Sequence, residues 1–129
     1  MKKIAIILVA IMALLTFSSC EKLGGNIANT KWTFKLGNNN YVMEFTSKTD
    51  MRTYQCDSNY NFEDSLQEGT YEKDGNNITF GGEIEVISGS IWVPSSIYHI
   101  TSGVISGDVL NIIATNSYGS TKEYTLMKL

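Results

Sequence analysis

The chain has 129 residues, 43% of them hydrophobic and 18% charged, with a formal net charge of −3 at neutral pH. That is one folded domain rather than a disordered chain, and its length excludes a multidomain enzyme. Its acidic balance excludes a strongly basic nucleic-acid binder.

The first nineteen residues are unlike the rest. Met1, Lys2 and Lys3 precede an apolar run from Ile4 to Leu15, and Thr16-Phe17-Ser18-Ser19 leads to Cys20. A basic start, a short apolar core and small residues before a break describe a secretory signal peptide. The run falls short of the about 20 apolar residues that a membrane-crossing helix needs. As a first helix of the domain it offers no polar face to water.

Phe17-Ser18-Ser19-Cys20 resembles the lipobox of bacterial lipoproteins. The resemblance implies cleavage before Cys20 and lipidation of its thiol. Acyl chains contribute about 0.8 kcal/mol per buried CH₂, enough to hold a protein on a membrane without a spanning helix. The expected localisation is therefore the cell envelope, lipid-anchored at the outer membrane, with either face open. Residues 1–19 are the leader, 20–29 a tether containing Gly24 and Gly25, and 30–129 the domain. Without the leader, thirteen acids face eight bases, a net charge of −5.

Lipidation of Cys20 leaves Cys56 alone in a compartment where paired cysteines are the rule. A Cys20–Cys56 disulfide is the alternative. A catalytic Cys56 needs a neighbouring base, and the only histidine, His99, shares no motif with it. The expected role of Cys56 is a small apolar strand residue.

Beyond the tether no window sustains helical periodicity. Pro94 is the only proline, and 22 Gly and Asn residues punctuate short β-prone runs. Residues 31–36 carry Trp32, Phe34 and Leu36 on one face, and 41–47 carry Tyr41, Met43 and Phe45. Residues 51–57 put Tyr54 and Cys56 on one side. After a polar stretch, 68–73 leads through Asp74-Gly75-Asn76-Asn77 into 78–80, a hairpin signal. A looser region, 81–96, holds a short strand at 83–87. Residues 97–105, 108–115 and 121–129 close the chain.

Eight or nine alternating strands joined by tight turns predict an all-β antiparallel meander. A flat meander leaves two edges exposed, so closure into an up-and-down barrel is expected, with a two-sheet sandwich as the alternative. An eight-stranded barrel has room inside for side chains or one small ligand.

Three segments then look familiar. Thr30-Lys31-Trp32 is similar to the Gly-x-Trp opening of lipocalin-like domains, with Thr30 in place of the glycine. Gly69-Thr70-Tyr71 with Asp74-Gly75-Asn76-Asn77-Ile78-Thr79-Phe80 resembles the mid-barrel hairpin of small bacterial lipocalin-like proteins. Gly107-Asp108-Val109-Leu110-Asn111-Ile112 and Glu123-Tyr124-Thr125-Leu126 resemble their last two strands. The resemblance implies an up-and-down barrel with Trp32 near its closed end, and an interior that holds an apolar molecule or is filled by side chains. The ligand-lining candidates are Trp32, Phe34, Met43, Phe45, Tyr54, Tyr71, Tyr98 and Tyr124. Phe80, Ile100, Ile112 and Leu126 are further inward candidates. So many large residues favour a packed interior.

Other constellations are weaker. Asp57, Asn59, Asn61 and Glu68 fall at positions 1, 3, 5 and 12 of an EF-hand loop, but Phe62 stands where its glycine belongs. A surface hairpin loop is expected there, with a weak calcium contact through Asp57, Glu63 or Asp64 as the lesser reading. Glu83 and Glu85 share one strand face, whereas a glycosidase needs two acids across a cleft. His99 lacks companions at metal-ligand spacing, and no nucleophile elbow or phosphate loop is present. Trp92 is expected to fold back over the barrel mouth, with an exposed contact role as the alternative.

The sequence thus predicts a non-enzymatic, monomeric envelope protein without a cofactor, resident metal or nucleic-acid partner. It binds a small apolar ligand in the barrel or, with the barrel filled, meets an envelope protein through its loops.

Overall fold

The structure is a computed structural model and describes residues 26–90 and 92–129. The leader, Cys20 and the first part of the tether lie outside the described residues. The elements are β1 (Thr30–Leu36), β2 (Asn39–Phe45), β3 (Asp50–Cys56), β4 (Phe62–Asp74), β5 (Asn77–Gly81), β6 (Glu85–Ile87), β7 (Ile97–Ser106), β8 (Val109–Asn116) and β9 (Thr121–Lys128). One turn of 3₁₀ helix, Pro94–Ser96, precedes β7.

All pairings are antiparallel. β1 meets β9 and β5 meets β7, so eight strands close into an up-and-down barrel. Closure through β5 and β7 joins the two ends of the meander along the lower half of the barrel and removes the sandwich alternative. β6 is the extra strand, paired to the first half of β7 while β5 pairs with its second half. The end where β1 begins, carrying Ile27 and the Gly75-Asn76 and Gly107-Asp108 turns, is the lower end. The other end carries residues 57–61, 88–96 and 117–120 and is the upper end. Gly75 takes a φ of +61° with open space around its α-carbon, so the turn itself, not crowding, selects glycine there.

Alternation inside each strand fills the barrel. Trp32 and Phe34 on β1, Met43 and Phe45 on β2, Leu110, Ile112 and Ala114 on β8 and Leu126 on β9 join one buried cluster. Each Leu, Ile, Phe or Met among them contributes about 1.5–3 kcal/mol through burial, which makes the filled interior the main source of stability.

Two expectations need correction. The polar stretch before Glu68 is not a long loop, because β4 begins at Phe62 and runs for 13 residues. Two register shifts against β3, with Ser65 at φ +59°, break the alternation that would have revealed it. Tyr54 does not point into the barrel. Met51 on β3 joins the interior cluster, whereas Tyr54 and Cys56 fall on the outer face and pack with Val42 as a separate buried cluster. The apolar alternation of β3 therefore reports a second, external core.

Gly69 sits where β4 crosses under Ile84. A Cβ there would lie 2.9 Å from the Gly81 carbonyl oxygen and 3.0 Å from Ile84 Cγ1. Gly69→Val is expected to cost about 1–3 kcal/mol through overpacking, read as a lower urea midpoint. Val104→Ala, on the exposed face, is expected to change stability by less than about 0.5 kcal/mol.

Candidate functional site

The lower end of the barrel is bolted shut. Thr30 Oγ1 donates to the Ile27 carbonyl at 2.5 Å and accepts from Trp32 Nε1 at 3.0 Å, so Ile27 and Trp32 plug this end together. Tyr71 Oη donates to the Ser47 carbonyl at 2.5 Å. Its ring meets Phe45 edge-on at 4.7 Å, and Phe45 stacks on Phe80 at 6.4 Å. These contacts pack the lower end with side chains.

The upper end differs. Phe34 stacks on Tyr41 at 5.5 Å and tilts against Tyr124 at 6.3 Å. Beside them a cavity of about 200 Å³ opens between β4 and β6, lined by Phe34, Leu36, Thr53, Gln67, Val86 and Ile100 among others. It is apolar at its floor and polar at its rim.

This opening follows from strand lengths. β4 pairs with β5 only from Thr70↔Gly81 to Asp74↔Asn77. Past Gly81 the chain steps through Gly82 and Glu83, tucks Ile84 into the core, and resumes as β6 against β7 alone. The upper half of β4 and β6 therefore face each other without a ladder. One side chain spans the gap: Gln67 Nε2 donates to the Glu85 carbonyl at 2.9 Å, and Gln67 Oε1 accepts from the Glu85 amide at 2.8 Å. The carboxamide stands in for a strand's main chain.

Of the eight ligand-lining candidates, six sit in the interior cluster: Trp32, Phe34, Met43, Phe45, Tyr71 and Tyr98. Tyr124 packs against that cluster half-buried, and Tyr54 lies outside it. Only Phe34 of the eight lines the upper cavity. Tyr54 instead floors a shallow outer groove of about 320 Å³ with Lys31, Arg52, Tyr60, Phe62 and Leu66. There Phe62 meets Tyr54 edge-on at 5.7 Å, and Arg52 sits 5.8 Å over the Tyr54 ring while its Nε holds Glu44 at 2.7 Å.

The remaining candidates are placed as follows. Asp57 Oδ1 accepts the Asn59 amide at 2.8 Å and the Asn61 amide at 3.0 Å, which folds residues 57–61 into a tight turn. Its carboxylate is thus spent on the backbone. Among the described residues no group of three or more His, Cys, Asp or Glu side chains is placed to hold a metal. His99 Nε2 stands 3.6 Å from Glu85 Oε1 on the outer wall, across the barrel order from Cys56 on β3. Burial, aided by the charges of Asp57 and Glu63, pushes the Cys56 thiol up from its ordinary value, away from thiolate.

Trp92 does not fold over the mouth. Its loop is held by its own main chain, Ser88 to Ser96 at 2.8 Å, Val93 to Ser90 at 3.1 Å and Ser96 to Val93 at 2.9 Å. Asn116 Nδ2 adds a bond to the Ser95 carbonyl at 3.0 Å. That frame leaves Trp92 86% exposed.

Gln67 and the gap that it spans were invisible in the sequence, since residue 67 read as loop. The signal that bears on it is the Gly81-Gly82 pair, which ends β5 well before β4 ends.

Two outcomes are expected. Among the described residues Tyr124 Oη is buried without a well-formed hydrogen bond, with the Ser88 hydroxyl as its nearby polar group, so Tyr124→Phe is expected to change stability by less than about 1 kcal/mol in thermal or urea melts. Burial also raises Tyr71, Tyr124 and Cys56 above their ordinary values of 10.0 and 9.0. The unfolded chain then releases these protons first, so stability holds below about pH 9 and falls as pH rises further. Denaturant midpoints measured on either side of that value check it.

Comparison with protein-family models, curated proteins and solved structures found no match to this chain.

Proposed function

We propose that the chain is a lipid-anchored protein of the cell envelope, held at the outer membrane through Cys20, whose lipocalin-like barrel is a non-enzymatic protein-interaction module. The observation that carries this reading is the filled interior. The cavity described at the upper end, about 200 Å³, is smaller than the about 300–1,000 Å³ of ordinary ligand sites. Large apolar side chains that the barrel does not bury lie outside it, at Tyr60, Phe62, Leu66, Trp92 and Tyr118. Exposed aromatics of this kind suit a protein contact.

The anchoring geometry agrees with that use. Asn26 to Asn29 join β1 at the lower end, where the Asn29 amide bonds the Phe45 carbonyl at 2.6 Å. The upper loops lie at the other end of the barrel from that junction. The neutral, acid-flanked Cys56 thiol and the separation of His99 from it support a non-catalytic role. The upper cavity supports a second reading, a small apolar ligand at the barrel mouth.

Cys20→Ser is expected to move the protein from the membrane to the soluble fraction of its host, with loss of the acyl mass from the mature N-terminal peptide. Native mass spectrometry of the lipidated protein from its own envelope then separates the readings. A complex with another protein is expected, and a stoichiometric small molecule in its place overturns the interaction reading.

A further inference from the structure

The β4–β6 gap has the features of an unfinished sheet. Ile84 accepts from the Ile100 amide at 2.9 Å, and the Ser88 amide donates to Ser96 at 2.8 Å, so the main chains of 84 and 88 turn toward β7. By alternation, the amides and carbonyls of Glu85 and Ile87 turn the other way, into the gap. Among the described residues, those of Glu85 are held by the Gln67 side chain alone. On the facing strand Thr70 pairs with Gly81, so the main chain of Glu68, two residues earlier, also turns into the gap.

Acids stand on both banks: Glu63, Asp64 and Glu68 on β4, and Glu83 and Glu85 on the other side, all of them exposed, with Glu85 lining the cavity itself. Two cations of the flanking strands are engaged, Arg52 with Glu44 and Lys122 with the Ser88 hydroxyl while lying 5.5 Å over the Tyr98 ring, and Lys31 lines the outer groove beside Phe62 and Leu66. His99 Nε2 stands 3.6 Å from Glu85 Oε1. Behind the rim the cavity offers Phe34, Val86 and Ile100 to one apolar side chain.

We infer that this gap is a strand-addition site for an extended basic segment of a partner protein. The segment pairs with the free edge of β6, and its main chain replaces the Gln67 carboxamide on Glu85 and takes up Ile87. Its lysines or arginines meet acids of the two banks, Glu85 among them, and one apolar side chain fills the upper cavity. Main-chain bonds supply the affinity and the pocket and rim supply the selectivity, as in other strand-addition complexes. The inference rests on the interaction reading above and specifies the partner's chemistry.

The test uses the full chain and a synthetic peptide of alternating lysine and valine. Two controls accompany it: an alternating glutamate–valine peptide, and the lysine peptide with alternate amides N-methylated, which keeps charge and apolarity but cannot complete a ladder. Fluorescence anisotropy reads binding, and amide hydrogen exchange reads its place. The basic peptide is expected to bind at least tenfold tighter than either control and to protect the Glu85 and Ile87 amides. Ile87→Pro removes an amide that β7 does not use, so the fold is expected to stand by circular dichroism while binding falls at least fivefold. Comparable binding of the acidic or N-methylated peptide, protection elsewhere, or no binding overturns the inference. A concentration-dependent dimer that protects the same amides without peptide gives the site to a second copy and also overturns it. A protein partner found by native mass spectrometry whose capture is unaffected by Ile87→Pro sinks the strand-addition site and leaves the interaction reading standing.

Discussion

A closed barrel requires every strand to find a partner on both sides, and in this chain one strand cannot. β4 has 13 residues and β5 has five. Closure therefore succeeds along the lower half, where β5 joins β4 to β7, and fails along the upper half of β4. The sheet absorbs the mismatch by moving the chain from β5 to β6 across a Gly81-Gly82 step. Ile84 becomes the hinge of that step: its side chain occupies the space under Gly69, where no Cβ fits. The gap is thus not a defect of one loop. It is the consequence of a long strand facing a short one.

That mismatch divides the molecule into two regimes. Below it, the ladder is complete and the interior is closed by Trp32, Phe45 and Tyr71, each tied by a hydrogen bond or an edge-on aromatic contact. Above it, a single carboxamide does the work of a strand. Two neutral hydrogen bonds contribute about 1–3 kcal/mol between them, far less than the burial that holds the lower half. The upper wall is therefore where the barrel opens most readily, and the small cavity sits behind that wall rather than at the centre.

Much of this fold was legible in the residues. The regular runs 31–36, 41–45 and 109–115 alternate cleanly, and a strand with one buried face has few registers available. The Asp74-Gly75 and Ser106-Gly107 signals placed two hairpins for the same local reason. What stayed hidden was the upper half of β4. Residues 62–66 are exposed, so no buried face selects an apolar alternation there, and two register shifts against β3 erase what remains. Tyr54 misled for a related reason. Its spacing with Cys56 is a true strand signal, but the apolar face that it marks belongs to the outer cluster under Phe62, and alternation alone does not say which side is inside. The candidate site was legible only as a concentration of acids without an address.

Those acids bear on why the gap stays open. Five of the chain's thirteen acids stand on its two banks, and like charges facing one another across neighbouring strands are destabilising. Completing the ladder would bring Glu68 and Glu85 closer still. Edge strands that stay unpaired are a hazard, because any passing strand can add to them, and charge is a common protection. Here a single sign of charge repels a second copy of this acidic chain, which carries the same rim and a net −5 without its leader. The same field draws in a basic segment. One feature thus serves as both protection and selection: it closes the edge to the chain's own kind and leaves it open to a partner of opposite charge.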